Sequence, residues 1–329
     1  MLAIVCPGQG AQTPGFLSPW LELPSVARRL DELSEAAGLD LLTHGTVSDA
    51  ETIKDTAVAQ PLIVAASLLT AHALFGGGEL DGGTFDGGVP AGAVLAGHSV
   101  GEIPAAALAG VLSEADAMLF VRERATGMAT AAAAAATGMS AVVGGKPEEV
   151  LAAIEAAGLT AANMNSVGQT VAAGTLKQLE TLAANPPAKA RVIPLPVAGA
   201  FHTHHMSPAV SALEALRPRL SANDPAQTLL SNFDGQPVAE GDAVMTSLIA
   251  QVSRPVRWDL CMETMLSMGV TALIELSPAG TLTGLAKRAM PNVATVALKT
   301  PADLDSAREL IARTRDLAAG PTGQEEGHQ

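Results

Sequence analysis

Tyrosine is missing from this chain of 329 residues, and aromatic residues together make up only 2% of it. Stacking platforms for nucleobases therefore have little to be built from. Basic residues are also scarce. Nineteen Lys and Arg stand against 33 Asp and Glu, a formal net charge of −14. That imbalance argues against nucleic acid and against an anionic membrane surface as partners, and an anionic ligand must find a local positive site. Two cysteines, Cys6 and Cys261, are too few for a disulfide scaffold and fit a reducing, cytoplasmic setting. No apolar run reaches the ~18 residues of a membrane span, and Met1 to Pro7 has neither the basic start nor the length of a signal peptide. What is present, 48% hydrophobic and 16% charged residues, supports a sizeable core in one large or two modest domains.

The chain is organised around Val94 to Gly101, V-L-A-G-H-S-V-G. A short apolar run, Ala93–Ala96, reads as a buried strand. It breaks at Gly97, and an Ala-rich helix follows from Glu102. Ser99 sits at the apex between two glycines, in the pattern G-x-S-x-G of a strand–turn–helix nucleophile elbow. The glycines suit a turn with no room for Cβ atoms and with backbone angles that other residues avoid. An ordinary Gly-bounded turn is the competing reading. The turn Pro7-Gly8-Gln9-Gly10, after a first strand Ala3–Cys6, likewise reads either as a backbone amide cradle or as a plain strand-to-helix connection.

Helices are expected over Val26–Ala36 and Val58–Leu74, with Pro61 near the start of the second, where proline is tolerated. Gly76–Gly92 reads as a flexible acidic loop. Ser113 is placed as the N-cap of another helix. At about 100° per residue, Ala117, Val121, Ala125 and Met128 form its apolar stripe. Arg124 falls inside that stripe, Arg122 at its edge, and Glu123 points away. A buried arginine cannot shed its charge and must find an anion. The anion is either a carboxylate of the protein or a ligand.

After the alanine run Thr130–Ala136 the rhythm changes. Strand Met139–Val143, helix Pro147–Ala157, strands Thr160–Met164 and Thr170–Ala173, helix Leu176–Ala184 and strand Arg191–Val197 give the order βαββαβ, a ferredoxin-like arrangement. The fold expected is α/β, a larger core interrupted by this small domain. The core resumes at Phe201-His202-Thr203-His204-His205-Met206. Three histidines in four positions could suggest a metal site, but no cysteine or spaced acidic partner lies nearby, so no metal is assigned. Strands Thr228–Asn232, Ala272–Leu276 and Val293–Ala297 are expected to alternate with helices Met245–Gln251, Cys261–Met268, Leu282–Arg288 and Asp303–Leu317, before a disordered polar tail.

Seven motifs in order make a specific set: PGQGAQ at Pro7, GHSVGE at Gly97, Arg124, N-M-N-S-x-G-Q from Asn163, FHTHHM at Phe201, QVSRPVRW at Gln251 and E-L-S-P-A-G-T-L-T-G-L at Glu275. Over nearly the whole chain, from Met1 to about Leu317, the sequence resembles malonyl-CoA:acyl carrier protein transacylases of fatty acid and polyketide synthesis. The resemblance implies an α/β-hydrolase-like core (residues 1–129 and 199–317) with an inserted ferredoxin-like subdomain (residues 130–198) and a tail over 318–329. It implies Ser99 as nucleophile and His202 as general base. Gln9 and Val100 would supply oxyanion-hole N–H groups, Arg124 would bind the malonyl carboxylate, and the Gln251 carbonyl would orient the histidine. Asn163 and Asn165 lie in the run near the pocket. Phe201 and Val100 resemble malonyl-type rather than methylmalonyl-type enzymes, because a bulky ring would crowd an α-methyl group.

The implied partners are malonyl-CoA and an acyl carrier protein, with no cofactor and a monomeric enzyme. Acetyl-CoA would leave Arg124 unpaired, a penalty on the order of 3–5 kcal/mol. His98 reads as structural, Cys6 as a buried strand residue, and Arg254, Arg257, Lys287 and Arg288 as solvated charges or contacts to coenzyme A phosphates or the carrier. A serine thioesterase or esterase on the same elbow is the alternative, and a lipase would not require Arg124 with Gln9-Gly10.

Overall fold

The computed structural model describes residues 1–76, 88–197 and 199–319. Most of the acidic loop expected at Gly76–Gly92, and most of the tail over 318–329, lie outside the described residues. Strand β1 (Leu2–Cys6) leads to α1 (Pro24–Ala37), α2 (Leu41–Thr46) and α3 (Thr56–Phe75), and then to β2 (Val94–Gly97), α4 (Glu102–Leu108) and α5 (Glu114–Ala133). Six elements follow in the order expected from the sequence: β3 (Thr137–Gly144), α6 (Pro147–Ala156), β4 (Thr160–Ser166), β5 (Gln169–Thr175), α7 (Leu176–Ala184) and β6 (Ala190–Pro194). The chain continues through α8 (Ser207–Leu216), β7 (Thr228–Leu229), α9 (Gly241–Gln251), β8 (Val256–Arg257) and α10 (Trp258–Ser267). It ends with β9 (Ala272–Glu275), α11 (Thr281–Ala289), β10 (Ala294–Ala297) and α12 (Leu304–Ala319).

The first sheet runs β10-β9-β1-β2-β7 and is parallel throughout. Its central strands are almost wholly apolar because helices cover both faces, Glu275 at the end of β9 being the charged exception. Leu2, Ile4 and Cys6 of β1 turn into one core with residues of α1, α3, α4 and α5. Ala3 and Val5 turn into a second core with residues of α10 and α11. Helix α3 is the pillar of the first core, with fifteen of its twenty residues buried. No apolar run of membrane-spanning length is expected from the sequence, but by length and composition α3 is such a helix. The protein itself covers it, burying 78% of its apolar window. Pro61 lies in its second turn, later than expected, and removes one helix hydrogen bond there.

The second sheet runs β6-β3-β5-β4-β8. Its first four strands pair antiparallel, around a small core of Val142, Val150, Ile154, Leu159, Leu179 and Leu182. The fifth, β8, comes from the later part of the chain and pairs parallel with β4 through Asn163↔Val256 and Met164↔Arg257. Two residues are too few to show a period in sequence, so β8 was not foreseen. It couples the two sheets, beside the asparagine run.

Candidate active site

Strand β2 delivers the chain to the elbow. A Cβ on Gly97 would stand 1.9 Å from the Gly101 carbonyl carbon, and one on Gly101 would stand 2.2 Å from the Cys6 carbonyl oxygen. Both glycines are therefore required by close approach. The second reason expected for them does not apply, because neither has a positive φ. Ser99 itself takes the left-handed conformation, at φ 55°, the strain that lifts an elbow side chain clear of its turn. His202, arriving from the segment after β6, is also left-handed, at φ 61°.

The two strained residues meet. Ser99 Oγ lies 2.7 Å from His202 Nε2, and His202 Nδ1 lies 2.9 Å from the Gln251 main-chain carbonyl at the end of α9. A carbonyl only accepts, so Nδ1 carries the proton and Nε2 is left to receive the serine hydroxyl. Burial, the Arg124 charge and, more weakly, His98 push the His202 pKa down to about 3, against the pull of the Gln251 carbonyl. The imidazole is thus neutral at any ordinary pH, with the Nε2 lone pair free to accept a proton.

Arg124 lies inside the apolar stripe of α5, as the helix projection expects, and is 1% exposed. Ala117, Val121, Ala125 and Met128 are buried beside it, whereas Arg122 is more exposed than Glu123, the reverse of the expected order. Its guanidinium donates to Gln60 Oε1 at 2.7 Å, Gln251 Oε1 at 2.8 Å and Ser99 Oγ at 3.3 Å. Among the described residues it makes no ion pair, so an internal salt bridge is not its solution. Burial lowers its pKa to about 10, opposed by Glu102, and it remains a cation.

A cavity of about 160 Å³ opens on the serine and histidine, lined by Gly8, Gln9, Gln60, Ser99, Phe201 and His202 among others. A larger hollow of about 980 Å³ lies between α1, α3 and α12 and touches none of the expected site residues. Gln9 is anchored through its side chain to the Lys54 carbonyl at 3.3 Å and to Thr56 Oγ1 at 3.4 Å. Val100 is wholly buried behind the serine. Asn163 and Asn165 both line the cavity but differ. Asn165 Oδ1 accepts from His98 Nε2 at 2.8 Å, while the buried Oδ1 of Asn163 has no partner among the described residues. His98 also stacks edge-on against Trp258, with centroids 5.9 Å apart.

Four participants were not assigned from sequence. Gln60 and the side chain of Gln251 hold Arg124. Glu102, quoted within GHSVGE without a role, accepts from both Gln251 Nε2 and the Asn232 N–H. Asn232 accepts the Ser99 N–H at 2.8 Å. Glu102, directly after the elbow, and Gln251, at the head of QVSRPVRW, carry a sequence signal; Gln60 and Asn232 carry none. Of the outlying cations, Arg257 is held by Asp259 through two 2.9 Å contacts, Arg254 lies over the Phe233 ring, and Lys287 and Arg288 are exposed. Cys6 and Cys261 are buried thiols whose pKa burial raises. His204 is exposed and His205 half-buried, their ring centroids 4.2 Å apart.

Residues 3–313 match the acyl transferase domain family. The chain is 50% identical over 310 residues to the malonyl CoA-acyl carrier protein transacylase of Mycobacterium tuberculosis, covering 94% of this chain and all of that protein. It is 34% identical over 315 residues to the Escherichia coli protein of the same name, covering 94% and 99%. Among solved structures, the crystal structure of MCAT from Mycobacterium tuberculosis superposes with a TM-score of 0.86 at 49% identity, over 93% of this chain and 99% of that one. A structure of a type II PKS acyl-carrier protein in complex with its malonyl-transacylase gives 0.83 at 28% identity, over 94% and 99%.

Proposed function

The chain belongs to the acyl transferase domain family, and on that premise we propose that it moves a malonyl group from malonyl-CoA to the phosphopantetheine thiol of an acyl carrier protein, through a malonyl ester on Ser99. The observation that carries this reading is Arg124. A permanent cation is held 3.3 Å from the nucleophile by neutral amide oxygens, next to a small cavity that Ser99, His202 and the arginine's partner Gln60 line. An acyl group ending in a carboxylate satisfies that charge, and a planar guanidinium suits it bidentately.

The geometry supports the following scheme. His202 Nε2 takes the Ser99 proton as Oγ attacks the thioester carbonyl. The Gln251 carbonyl steadies the imidazolium that forms, so no third carboxylate is needed. The N–H groups of Gln9 and Val100 receive the oxyanion, each worth about 3 kcal/mol in comparable sites. The C–S bond breaks and coenzyme A leaves with the proton from His202. In the second half the carrier's thiol gives its proton to His202 and attacks the ester carbonyl; the C–O bond breaks and Ser99 Oγ takes that proton back from His202. This is a ping-pong cycle without a cofactor. The unpartnered Asn163 oxygen offers an acceptor to an amide N–H of the pantetheine arm.

The parallel sheet supports an α/β-hydrolase-like core over residues 1–129 and 199–317. The order β6-β3-β5-β4 supports a ferredoxin-like insertion over residues 130–198, with β8 laid along it. Every group in the scheme comes from one chain, which suits a monomer, and the two free thiols suit the cytoplasm.

Labelled malonyl-CoA tests the proposal. Label should be retained on the isolated protein and pass to carrier protein on its addition. Loss to water instead would make the protein a thioesterase, and no labelling would remove the ester intermediate. Phe201→Ser should also admit methylmalonyl-CoA. Unchanged rates with that substrate would free Phe201 of a role in selectivity.

A further inference from the structure

Glu102 takes no part in the chemistry above, yet its carboxylate is buried behind the nucleophile, 4% exposed. Both oxygens are engaged. Oε1 accepts the Asn232 main-chain N–H at 2.7 Å, and Oε2 accepts from Gln251 Nε2. That same Nε2 donates to the Ser99 carbonyl at 3.0 Å, while Gln251 Oε1 points the other way and accepts from Arg124. With acceptors on one side and a guanidinium on the other, the amide has one satisfied orientation. Asn232 completes the frame. Its Oδ1 accepts the Ser99 N–H and its Nδ2 donates to the Gly97 carbonyl, each at 2.8 Å. Arg124 and Cys261 are the titratable groups that feel the carboxylate. Leu229, Leu230, Val244 and Leu248 share a small void with it.

We propose that Glu102 is a positioning residue: by fixing the Gln251 amide and the Asn232 backbone it presents Arg124 and His202 to the Ser99 hydroxyl together. Gln251 is the shared part, since its side chain holds Arg124 and its main-chain carbonyl holds His202. One carboxylate therefore governs two functions that a Ser–His pair and a carboxylate-binding arginine would otherwise keep separate. The inference rests on the roles given above to Ser99, His202 and Arg124.

Glu102→Gln tests it. The new amide still accepts from Asn232, but its NH2 group meets the Gln251 NH2 group. The Gln251 amide must then turn and face Arg124 with a donor. Two readouts on folded protein separate the branches. Labelling of Ser99 by an uncharged alkyl fluorophosphonate reports on Ser99 and His202, and is expected to slow about tenfold, as misplacement within a catalytic group commonly costs that or more. The rate ratio of malonyl-CoA to acetyl-CoA in forming the acyl-enzyme reports on Arg124, and is expected to fall by about the same factor. A packing role alone would change the yield of folded protein and leave both unchanged, and that result overturns the proposal.

Should Glu102→Gln not fold, Gln251→Met keeps the main-chain carbonyl and removes the amide. The malonyl-to-acetyl ratio should still fall, and an unchanged ratio again overturns the proposal. A wild-type protein that reacts with the fluorophosphonate but shows no preference for malonyl-CoA would count against the role of Arg124. The labelling test of Glu102 would then stand by itself.

Discussion

Helix α5 serves two buried arginine sites that are satisfied in opposite ways. At its N-terminal end Glu114 takes Arg29 of α1 at 2.7 Å and His72 of α3 at 2.6 Å. Ten residues further on (124 − 114), Arg124 holds only the neutral oxygens of Gln60, Gln251 and Ser99. In both sites the guanidinium is buried, so burial alone does not distinguish a structural arginine from a functional one. The partner does. Glu114 cancels the charge of Arg29 in place, and a ligand carboxylate has nothing to gain there. Amide oxygens meet the hydrogen bonds of Arg124 but leave its charge, and a charge-assisted pair is about twice as strong as a neutral one. The contrast also revises the energetic expectation. An acetyl substrate would not leave Arg124 without partners, so discrimination is the difference between amide and carboxylate acceptors, about 1–3 kcal/mol rather than 3–5.

The largest effect that would break this comparison is the loss of Arg124. Arg124→Ala should lower kcat/KM for malonyl-CoA roughly tenfold to a hundredfold more than for acetyl-CoA, by about 1.4–3 kcal/mol. Equal losses for both substrates would make Arg124 a structural residue like Arg29. The converse variant, Glu114→Gln, removes the counter-charge from the closed cluster. It should cost about 2–3 kcal/mol of stability in urea unfolding and leave the malonyl-to-acetyl ratio where it was. A shifted ratio would mean that the two sites are coupled along α5.

A third variant tries to turn one site into the other. Gln60→Glu would give Arg124 a permanent carboxylate in place of the 2.7 Å amide contact. The expected result is a rise of about tenfold in KM for malonyl-CoA, near 1.4 kcal/mol, with acetyl-CoA little affected. If malonyl-CoA binds as before, the charge of Arg124 does not set affinity, and its geometry alone must.

How much of this was readable beforehand divides by distance along the chain. The βαββαβ run was readable because each element repeats its own period over several residues. Arg124 was placed correctly because helix arithmetic needs only local spacing. The glycines of the elbow were flagged, but their reason was partly misread. Their Cβ atoms would strike β1 and the elbow's own backbone, while the unusual dihedral belongs to Ser99. What sequence did not show was the frame of Gln60, Glu102, Asn232 and Gln251. These come from α3, α4, the segment after β7 and the end of α9; Gln60 and Asn232 are ordinary polar residues in their own windows, and the motifs holding Glu102 and Gln251 do not show what their side chains touch. Their meaning arises only where four segments converge. The pair β4–β8 was hidden for the same reason, with two residues on one side and their partner some ninety positions earlier.

The smallest net effect is expected in the wild type, where two charge states oppose each other. Burial raises the Glu102 carboxyl to about 7 from its ordinary 4.5, and burial, the Arg124 charge and His98 lower His202 to about 3 from 6.5. Between pH 4.5 and 6.5 the unfolded chain carries a proton on His202 that the folded protein lacks, so this group adds stability as pH rises. Over the same window the folded protein keeps a proton on Glu102 that the unfolded chain has lost, so this group removes stability as pH rises. The two slopes oppose each other and largely cancel in the wild type. Urea unfolding at several pH values across that window should separate them. Relative to wild type, Glu102→Gln should gain stability with rising pH, by up to about 1.4 kcal/mol per unit, and His202→Ala should lose it by a similar amount. No such change would mean that the two groups titrate as they do in the unfolded chain. The Arg124 site would then be wetter than the dry frame around it implies, and closer in character to an exposed ion pair than to the closed cluster at Glu114.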